Sequence, residues 1–201
     1  MTNPMHSEIK QKTRALILEA SLQLLNRRQT SSVNMADIAK AAGVSRQTVY
    51  LHFSNRAELL AATLSYIDAK LELQVRLQPA IEARTGAKKI SAFIQFWADY
   101  LNEIYPVLYA LMRMQHEDDA AADVLSDKLL TAKDGCRDAV SALDDDGFLD
   151  LRWSKDTATD ILWMLLSVDN WSMLVIESGW SKQQYVDHIT YAAKKTLIGV
   201  N

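Results

Sequence analysis

The stretch Asn34–Arg56, NMADIAKAAGVSRQTVYLHFSNR, decides the fold because it encodes two short helices joined by a tight turn. Asn34 and Ser45 stand just before the two helices, and the side-chain oxygens of Asn and Ser accept hydrogen bonds from unpaired amides at a helix start. Gly43 stands where the first helix must end, since glycine adopts the left-handed conformation common after a helix C-terminus. Both helices can therefore begin and end without help from the rest of the chain.

The second of these helices is predicted to leave most of its polar side chains exposed. Val49 and Phe53 are four residues apart and are expected to turn inward together against the first helix. In a helix-turn-helix, the first helix supports the second, and the second presents its N-terminal side chains to the major groove of DNA. The predicted DNA-binding residues are Asn34, Ser45, Arg46, Gln47, Thr48, Tyr50, His52 and Arg56.

These residue types match the chemistry of base edges and phosphates. Arg46 can donate two hydrogen bonds to guanine, Gln47 can pair with adenine, and the methyl group of Thr48 can contact thymine. Tyr50 and His52 lie farther along the helix, where donors to phosphate oxygens are expected. The alternative interpretation is a solvated helical hairpin in an ordinary α-helical protein.

Charge is distributed unevenly along the chain. The net charge is −3, yet residues 1–60 carry eight Lys or Arg and only four Asp or Glu, so the remainder is acidic. A basic N-terminal part on an acidic body is typical of a protein in which only that part contacts DNA. Arg56 opens a helix against the helix dipole, which a nearby phosphate would offset. Lys10, Lys12 and Arg14 are either phosphate contacts or solvated charges.

The run DIAKAAGVSRQTVYLHFSNRAELL, residues 37–60, resembles the N-terminal domain of TetR-family transcriptional regulators. The shared features are an Ile-Ala pair, an Ala-Gly-Val-Ser turn and a Thr-x-Tyr-x-His-Phe recognition helix, and the match is dense over about residues 10–60. The family usually has a glycine and an aromatic residue in the turn after its first helix, where this chain has Gln29 and Thr30.

Composition favours a helical protein of the cytoplasm. Of 201 residues, 49% are hydrophobic and 23% charged, and only six are Gly and three Pro, which favours long helices. No apolar run of about 18 residues and no apolar N-terminal signal segment is present, so a cytoplasmic location is expected. Cys136 is the single cysteine and cannot form an internal disulfide.

The fold class predicted is all-α, with a helix-turn-helix domain over residues 1–55 and a larger helical ligand-binding and dimerisation domain over residues 56–201. Apolar periodicity predicts a fourth helix from the Asn55 cap to about Gln78 and a fifth from Gly86 to about Tyr105. Further helices are predicted at 106–114, at about 120–143, from the Ser154 cap to Gly179, and after the Ser181 cap.

Within the predicted helix from Ser154 to Gly179, residues 161–176, ILWMLLSVDNWSMLVI, are apolar almost all round. Such a helix must be covered on every side, and 16 residues are too few to span a membrane comfortably, so part of it is expected to meet another subunit. The resemblance implies a homodimer through the last two helices. Two recognition helices about 34–36 Å apart would then contact half-sites one turn of DNA apart.

No catalytic constellation, metal-ligand spacing or phosphate-binding loop occurs in the sequence, so we expect neither an enzyme nor a cofactor. Aromatic and thioether side chains are concentrated after residue 65, and they suit either a pocket for an apolar or planar molecule or a filled core or dimer interface. The family resemblance favours a pocket. The candidate ligand-binding residues are Trp97, Tyr100, Tyr105, Tyr109, Met112, Trp163 and Met164.

The sequence therefore predicts a homodimeric regulator that binds a double-stranded DNA operator, a repressor released by a small apolar or aromatic effector. One alternative is a helix-turn-helix regulator without small-molecule input, controlled by a protein partner. Another is a helical enzyme or carrier whose N-terminal helices only pack.

Overall fold

The computed structural model describes residues 4–28 and 33–199, which are helical apart from short connections and one isolated antiparallel bridge between Leu149 and Ile198. The prediction of an all-α fold is confirmed. The connection with Gln29 and Thr30 lies outside the described residues. The helices are α1 (Pro4–Arg28), α2 (Met35–Ala41), α3 (Arg46–His52), α4 (Arg56–Lys70), α5 (Leu73–Ile81), α6 (Gly86–Met114), α7 (Asp119–Asp145), α8 (Lys155–Leu165), α9 (Val168–Trp171) and α10 (Lys182–Leu197), with a π-helical segment, Ser172–Glu177, directly after α9.

The described residues form two compact units. The first comprises the chain up to Lys70 together with Ile104–Ser126, and the second comprises Leu71–Glu103 and the chain from Asp127 onward. Helices α6 and α7 each contribute residues to both units. The predicted division into domains 1–55 and 56–201 follows function rather than packing, and it stays a prediction.

In the first unit, α1 packs against α2 and α4, and α2 packs against α3. Full burial of an apolar side chain contributes about 1.5–3 kcal/mol, so this shared core stabilises the packing of the four helices. A polar link joins α1 to α4, because Glu19 accepts hydrogen bonds from the Tyr66 hydroxyl at 2.9 Å and from Lys70 Nζ at 2.7 Å. The most deeply buried core side chains include Ile17, Leu25, Val33, Ile38, Val49, Phe53 and Leu60.

Helix α4 ends at Lys70, so the prediction of a helix continuing to about Gln78 is wrong. Glu72 adopts the left-handed conformation, with φ of 48°, and this interrupts the helical path before α5 begins. Pro79 lies inside α5 rather than after the end of α4. Sequence periodicity continues across the interruption, which is why the pattern alone suggested one helix.

Helix α6 has 29 residues and continues through Pro106, so the predicted helix end near Tyr105 is wrong. A proline inside a helix removes one hydrogen bond and costs about 3 kcal/mol. The apolar stripe keeps its register on both sides of the proline, and its burial offsets that cost. The fully buried members of the stripe are Leu101, Ile104, Val107, Leu108 and Leu111.

The predicted single helix from the Ser154 cap to Gly179 is also wrong, because the backbone breaks after Leu165. Ser167 caps α9 by accepting a hydrogen bond from Asn170 N at 3.2 Å. The carbonyl of Leu166, at the break, accepts a hydrogen bond from Trp97 Nε1 at 2.7 Å. Tertiary contacts therefore stabilise the break.

The tract Lys155–Glu177 has 23 residues and is apolar enough on average to cross a membrane by length and composition. Its backbone is divided among α8, α9 and the π-helical segment. The 11 residues of α8 extend about 16 Å at 1.5 Å per residue. This is short of the roughly 30 Å hydrocarbon core of a bilayer. Within the second unit, α10 packs against α8 and the π-helical segment.

Gly86 opens α6 where it passes against the end of α7. A Cβ atom at this position would overlap the backbone of Ala142 and Leu143, so only glycine permits this approach. The amide of Gly86 also donates a hydrogen bond to the Asp146 carboxylate.

We predict that Gly86→Ala lowers the free energy of unfolding by at least about 2 kcal/mol, because two backbone segments must separate to accept one methyl group. Urea unfolding followed by circular dichroism measures the change. Lys88→Ala, on the exposed side of the same helix, is the matched control and should change the free energy by less than about 0.5 kcal/mol. Equal effects of the two substitutions would contradict the close approach.

Candidate nucleic-acid interface

The turn between α2 and α3 is built by local hydrogen bonds, as the sequence predicts. Asn34 Oδ1 accepts hydrogen bonds from the amides of Ala36 and Asp37, both at 2.9 Å. Ser45 Oγ accepts one from Thr48 N at 3.0 Å. Gly43 has a φ of 67°, the left-handed conformation that ends α2. Both predicted caps and the glycine turn are confirmed.

The same hydrogen bonds limit what three predicted DNA-binding residues can offer. The Asn34 side-chain oxygen is occupied by the cap, which leaves its amide nitrogen as the group able to donate outward. The hydroxyl groups of Ser45 and Thr48 are 2.8 Å apart and hydrogen-bond each other. Contacts of these residues with DNA stay a prediction, and in the free protein their side chains organise the start of the recognition helix.

The rotation of α3 about its axis is fixed by two buried side chains. Val49 is 0% exposed and Phe53, which caps the helix, is 1% exposed. Because a helix advances about 100° per residue, Gln47 and Leu51 project away from these two and form an outer ridge. Gln47 is exposed, and Leu51 is 75% exposed. The residues predicted from the sequence to bind DNA do not include Leu51, although the same angular calculation places it on this ridge.

One side of the outer ridge borders a cleft of about 360 Å³, here called the Arg46 cleft, that brings together four of the predicted residues. Arg46 lies against Tyr50, with its guanidinium carbon 5.6 Å from the ring centroid and a nitrogen 3.4 Å from the hydroxyl oxygen. Burial lowers the pKa of Arg56, whose guanidinium nevertheless stays charged at neutral pH. The lining residues are Asn34, Met35, Ala36, Arg46, Tyr50 and Arg56.

The other side of the outer ridge borders a second cleft, of about 290 Å³, here called the His52 cleft. It brings together the start of α1 and the end of α3, and it places two basic side chains beside an imidazole. Sequence reasoning left open whether Lys10 and Arg14 contact phosphate or solvent, and the structure places both beside the recognition helix. The lining residues are Ser7, Lys10, Gln11, Arg14, Leu51 and His52.

Arg14 holds the end of the recognition helix in place. Its guanidinium donates a hydrogen bond to the His52 carbonyl at 3.1 Å, and its Cζ lies 4.3 Å from the centroid of the Phe53 ring. Burial lowers the pKa of His52, and the charges of Lys10 and Arg14 lower it further. The His52 imidazole is therefore harder to protonate than a free imidazole.

The candidate ligand-binding residues are divided between the two units. In the second unit, Trp97 and Tyr100 are 2% and 3% exposed, with ring centroids 5.9 Å apart. The Trp163 ring lies 6.4 Å from the Trp97 ring. Met164 is 58% exposed and therefore lies outside the core of this unit.

In the first unit, the rings of Tyr105 and Tyr109 are 5.8 Å apart, and Met112 is half-buried. Two further residues of the second unit lie beside Tyr100 and were not among the predicted ligand-binding residues. The Phe96 ring stacks on the Tyr100 ring with centroids 6.0 Å apart, and Lys128 Nζ lies 4.8 Å from the Tyr100 ring. Binding of a ligand by these residues stays a prediction.

Helices α1 to α3 of the first unit thus form a helix-turn-helix arrangement in which α3 exposes its polar side chains. Residues 17–63 match the family model described as bacterial regulatory proteins, tetR family. This match confirms, over the residues it covers, the resemblance to TetR-family regulators seen in the sequence. It is 34% identical over 97 residues to the HTH-type transcriptional regulator TtgR of Pseudomonas putida, a match covering 48% of this chain and 45% of that protein. The chain thus spans less than half the length of the curated relatives it matches.

Solved structures extend the likeness in fold to most of the chain. A protein from Saccharomonospora viridis in complex with choline has a TM-score of 0.79 at 16% identity, covering 94% of this chain and 100% of that chain. FadR from Bacillus subtilis in complex with stearoyl-CoA has a TM-score of 0.72 at 14% identity, covering 90% of this chain and 98% of that chain. The curated relatives carry names of transcriptional regulators and not of enzymes.

We predict that Arg14→Ala lowers the free energy of unfolding by about 1–2 kcal/mol, because it removes a hydrogen bond to a helix-terminal carbonyl and a cation–π contact. Lys12→Ala is the matched control, since Lys12 pairs with exposed Glu8 on the same helix and such pairs contribute less than about 1 kcal/mol. Urea unfolding distinguishes the two. If both variants lowered the free energy of unfolding by the same amount, Arg14 would contribute no more than an exposed surface charge.

Proposed function

We propose that the protein is a homodimeric, sequence-specific DNA-binding transcriptional regulator of the cytoplasm, and a repressor that a small apolar or aromatic molecule releases from its operator. The observation that carries the DNA-binding part is the arrangement of α3. Its outer ridge of Gln47 and Leu51 projects from the domain, and the Arg46 and His52 clefts place cations on both sides of that ridge.

This arrangement matches the dimensions of DNA. An α-helix with its side chains is about 10–12 Å wide, and the major groove of B-DNA is about 12 Å wide with a phosphate backbone on each side. With the outer ridge in the groove, the Arg46 cleft faces one backbone and the His52 cleft faces the other. Phosphate contacts then set the register of the helix, and Gln47 reaches base edges.

Release by a ligand requires the position of α3 to depend on the rest of the chain. Contacts in the first unit offer a physical route. Tyr66 and Lys70 near the end of α4 hold Glu19 of α1, and Arg14 of α1 holds the end of α3 at the His52 carbonyl. A ligand that prefers one position of α4 would shift α1 and α3 with it, and it can act only through that preference.

The aromatic cluster of Trp97, Tyr100 and Trp163 supports an apolar or planar effector. The Trp97 ring lies within 6.4 Å of each of the other two rings, and aromatic side chains provide much of the contact area in ligand pockets. The complexes of two structural neighbours with choline and with stearoyl-CoA support small-molecule input in this fold.

Dimerisation through the C-terminal helices is supported by exposed apolar side chains on the second unit. Met173 and Ile176 of the π-helical segment are 51% and 44% exposed, and Tyr191 of α10 is 64% exposed. A second copy of the chain would cover them. Two recognition helices about one turn of DNA apart would then contact a palindromic operator.

Selection from random-sequence DNA pools at two salt concentrations tests the proposal. We expect a palindrome with half-sites about one turn apart, and affinity that falls steeply with salt because bound cations displace counterions. If no sequence is enriched and affinity does not depend on salt, the helix-turn-helix only packs within the protein and the proposal is wrong. Fluorescence-monitored release of the operator then serves to screen effectors.

We further predict that a substitution on the outer ridge and one in the Arg46 cleft weaken DNA binding in different ways. Gln47→Ala should relax specificity at one base pair of each half-site, at a cost of about 1–3 kcal/mol per contact. Arg56→Ala should weaken binding of all sequences alike and lower the salt slope by about 1 per half-site. Anisotropy titrations on the selected operator and on a scrambled duplex measure both. Uniform losses from both variants would refute this division of roles.

A further inference from the structure

Leu51 is the most exposed large apolar side chain in the described part of the first unit, at 75%. A single exposed leucine usually needs no explanation, since much of any protein surface is apolar. The position of Leu51 does need one. It stands on the outer ridge, about 180° around α3 from the mean direction of buried Val49 and Phe53. No other residue of α3 lies so nearly opposite the buried pair.

The surroundings of Leu51 restrict what it can contact. It forms one wall of the His52 cleft, whose other members include Lys10, Arg14 and the imidazole of His52. An apolar protein partner would have to bury these cations beside a leucine, at a cost in desolvation. A partner that offers an anion and an apolar group a few ångströms apart fits both features of the cleft.

We propose that Leu51 is a specificity-determining residue that packs against the 5-methyl group of a thymine. This rests on the proposed function, because it requires α3 to enter the major groove. Among the groups that base edges present there, the thymine methyl is the apolar one. It lies on the backbone side of its base, so a phosphate of the same strand can meet Lys10 and Arg14 while the methyl group meets Leu51.

The test replaces each thymine of the selected operator by deoxyuridine, which removes only the methyl group. For the wild-type protein, replacement at one symmetric position should weaken binding about fourfold per half-site, the effect of losing one buried methyl contact. For Leu51→Ala the same replacement should change affinity less than about 1.5-fold (the error of a titration), and Leu51→Met, which keeps an apolar side chain, should retain the discrimination.

Leu130→Ala is the matched control. Leu130 is 57% exposed and lies on α7 in the second unit, so this variant should discriminate thymine from deoxyuridine as the wild type does. A wild-type protein insensitive to every replacement, or a Leu51→Ala protein with undiminished discrimination, overturns the inference while the operator and its salt dependence preserve the proposed function. Failure to enrich any operator overturns both.

Discussion

Burial of Val49 and Phe53 is the constraint on which the described interface depends. These side chains are fully enclosed, so the recognition helix has one permitted rotation about its axis. That rotation decides which residues face outward, which flank the ridge and which line the two clefts. A smaller side chain at either position would therefore allow the helix to rotate. Such a substitution would alter the outward-facing surface without replacing any residue on that surface.

Helix α1 performs two tasks in the first unit. Its buried side chains close the core over α2 and α4, and its polar side chains connect elements that do not follow one another in the chain. Arg14 secures the end of α3, and Glu19 secures α4. The hydrogen bonds from Lys70 and Tyr66 lower the pKa of Glu19, so this carboxylate keeps its charge at neutral pH. The helix is thus a support and also a source of the cations in the His52 cleft.

Much of this architecture is predictable from sequence because it is local. The caps at Asn34 and Ser45 and the turn at Gly43 involve residues at most four apart, and the structure confirms them. Errors occurred where distant residues decide. Burial outweighs the cost of Pro106 inside α6, and Trp97 stabilises the break at Leu166 from another helix.

The candidate site divides along the same line. Residue types and helical spacing were enough to propose Arg46 and Gln47 as contacts with DNA, since both proposals depend on α3 alone. The proposed role of Leu51 was not predicted from the sequence because its residue type, unlike its position, gives no hint of contact with DNA. The His52 cleft needs α1 to pack beside α3, and spacing within one helix carries no information about that.

The self-contained caps of α2 and α3 have a consequence for how such a protein diverges. Gln47 and Leu51 take no part in the caps and contribute little to the core, so replacing them leaves the folding free energy nearly unchanged. Duplicated copies of the gene can therefore explore new operators by one substitution at a time without passing through unstable intermediates. The residues that stabilise the domain are thus separate from those proposed to contact bases. Substitution of a few side chains could therefore change the operator that is bound, in nature or in the laboratory.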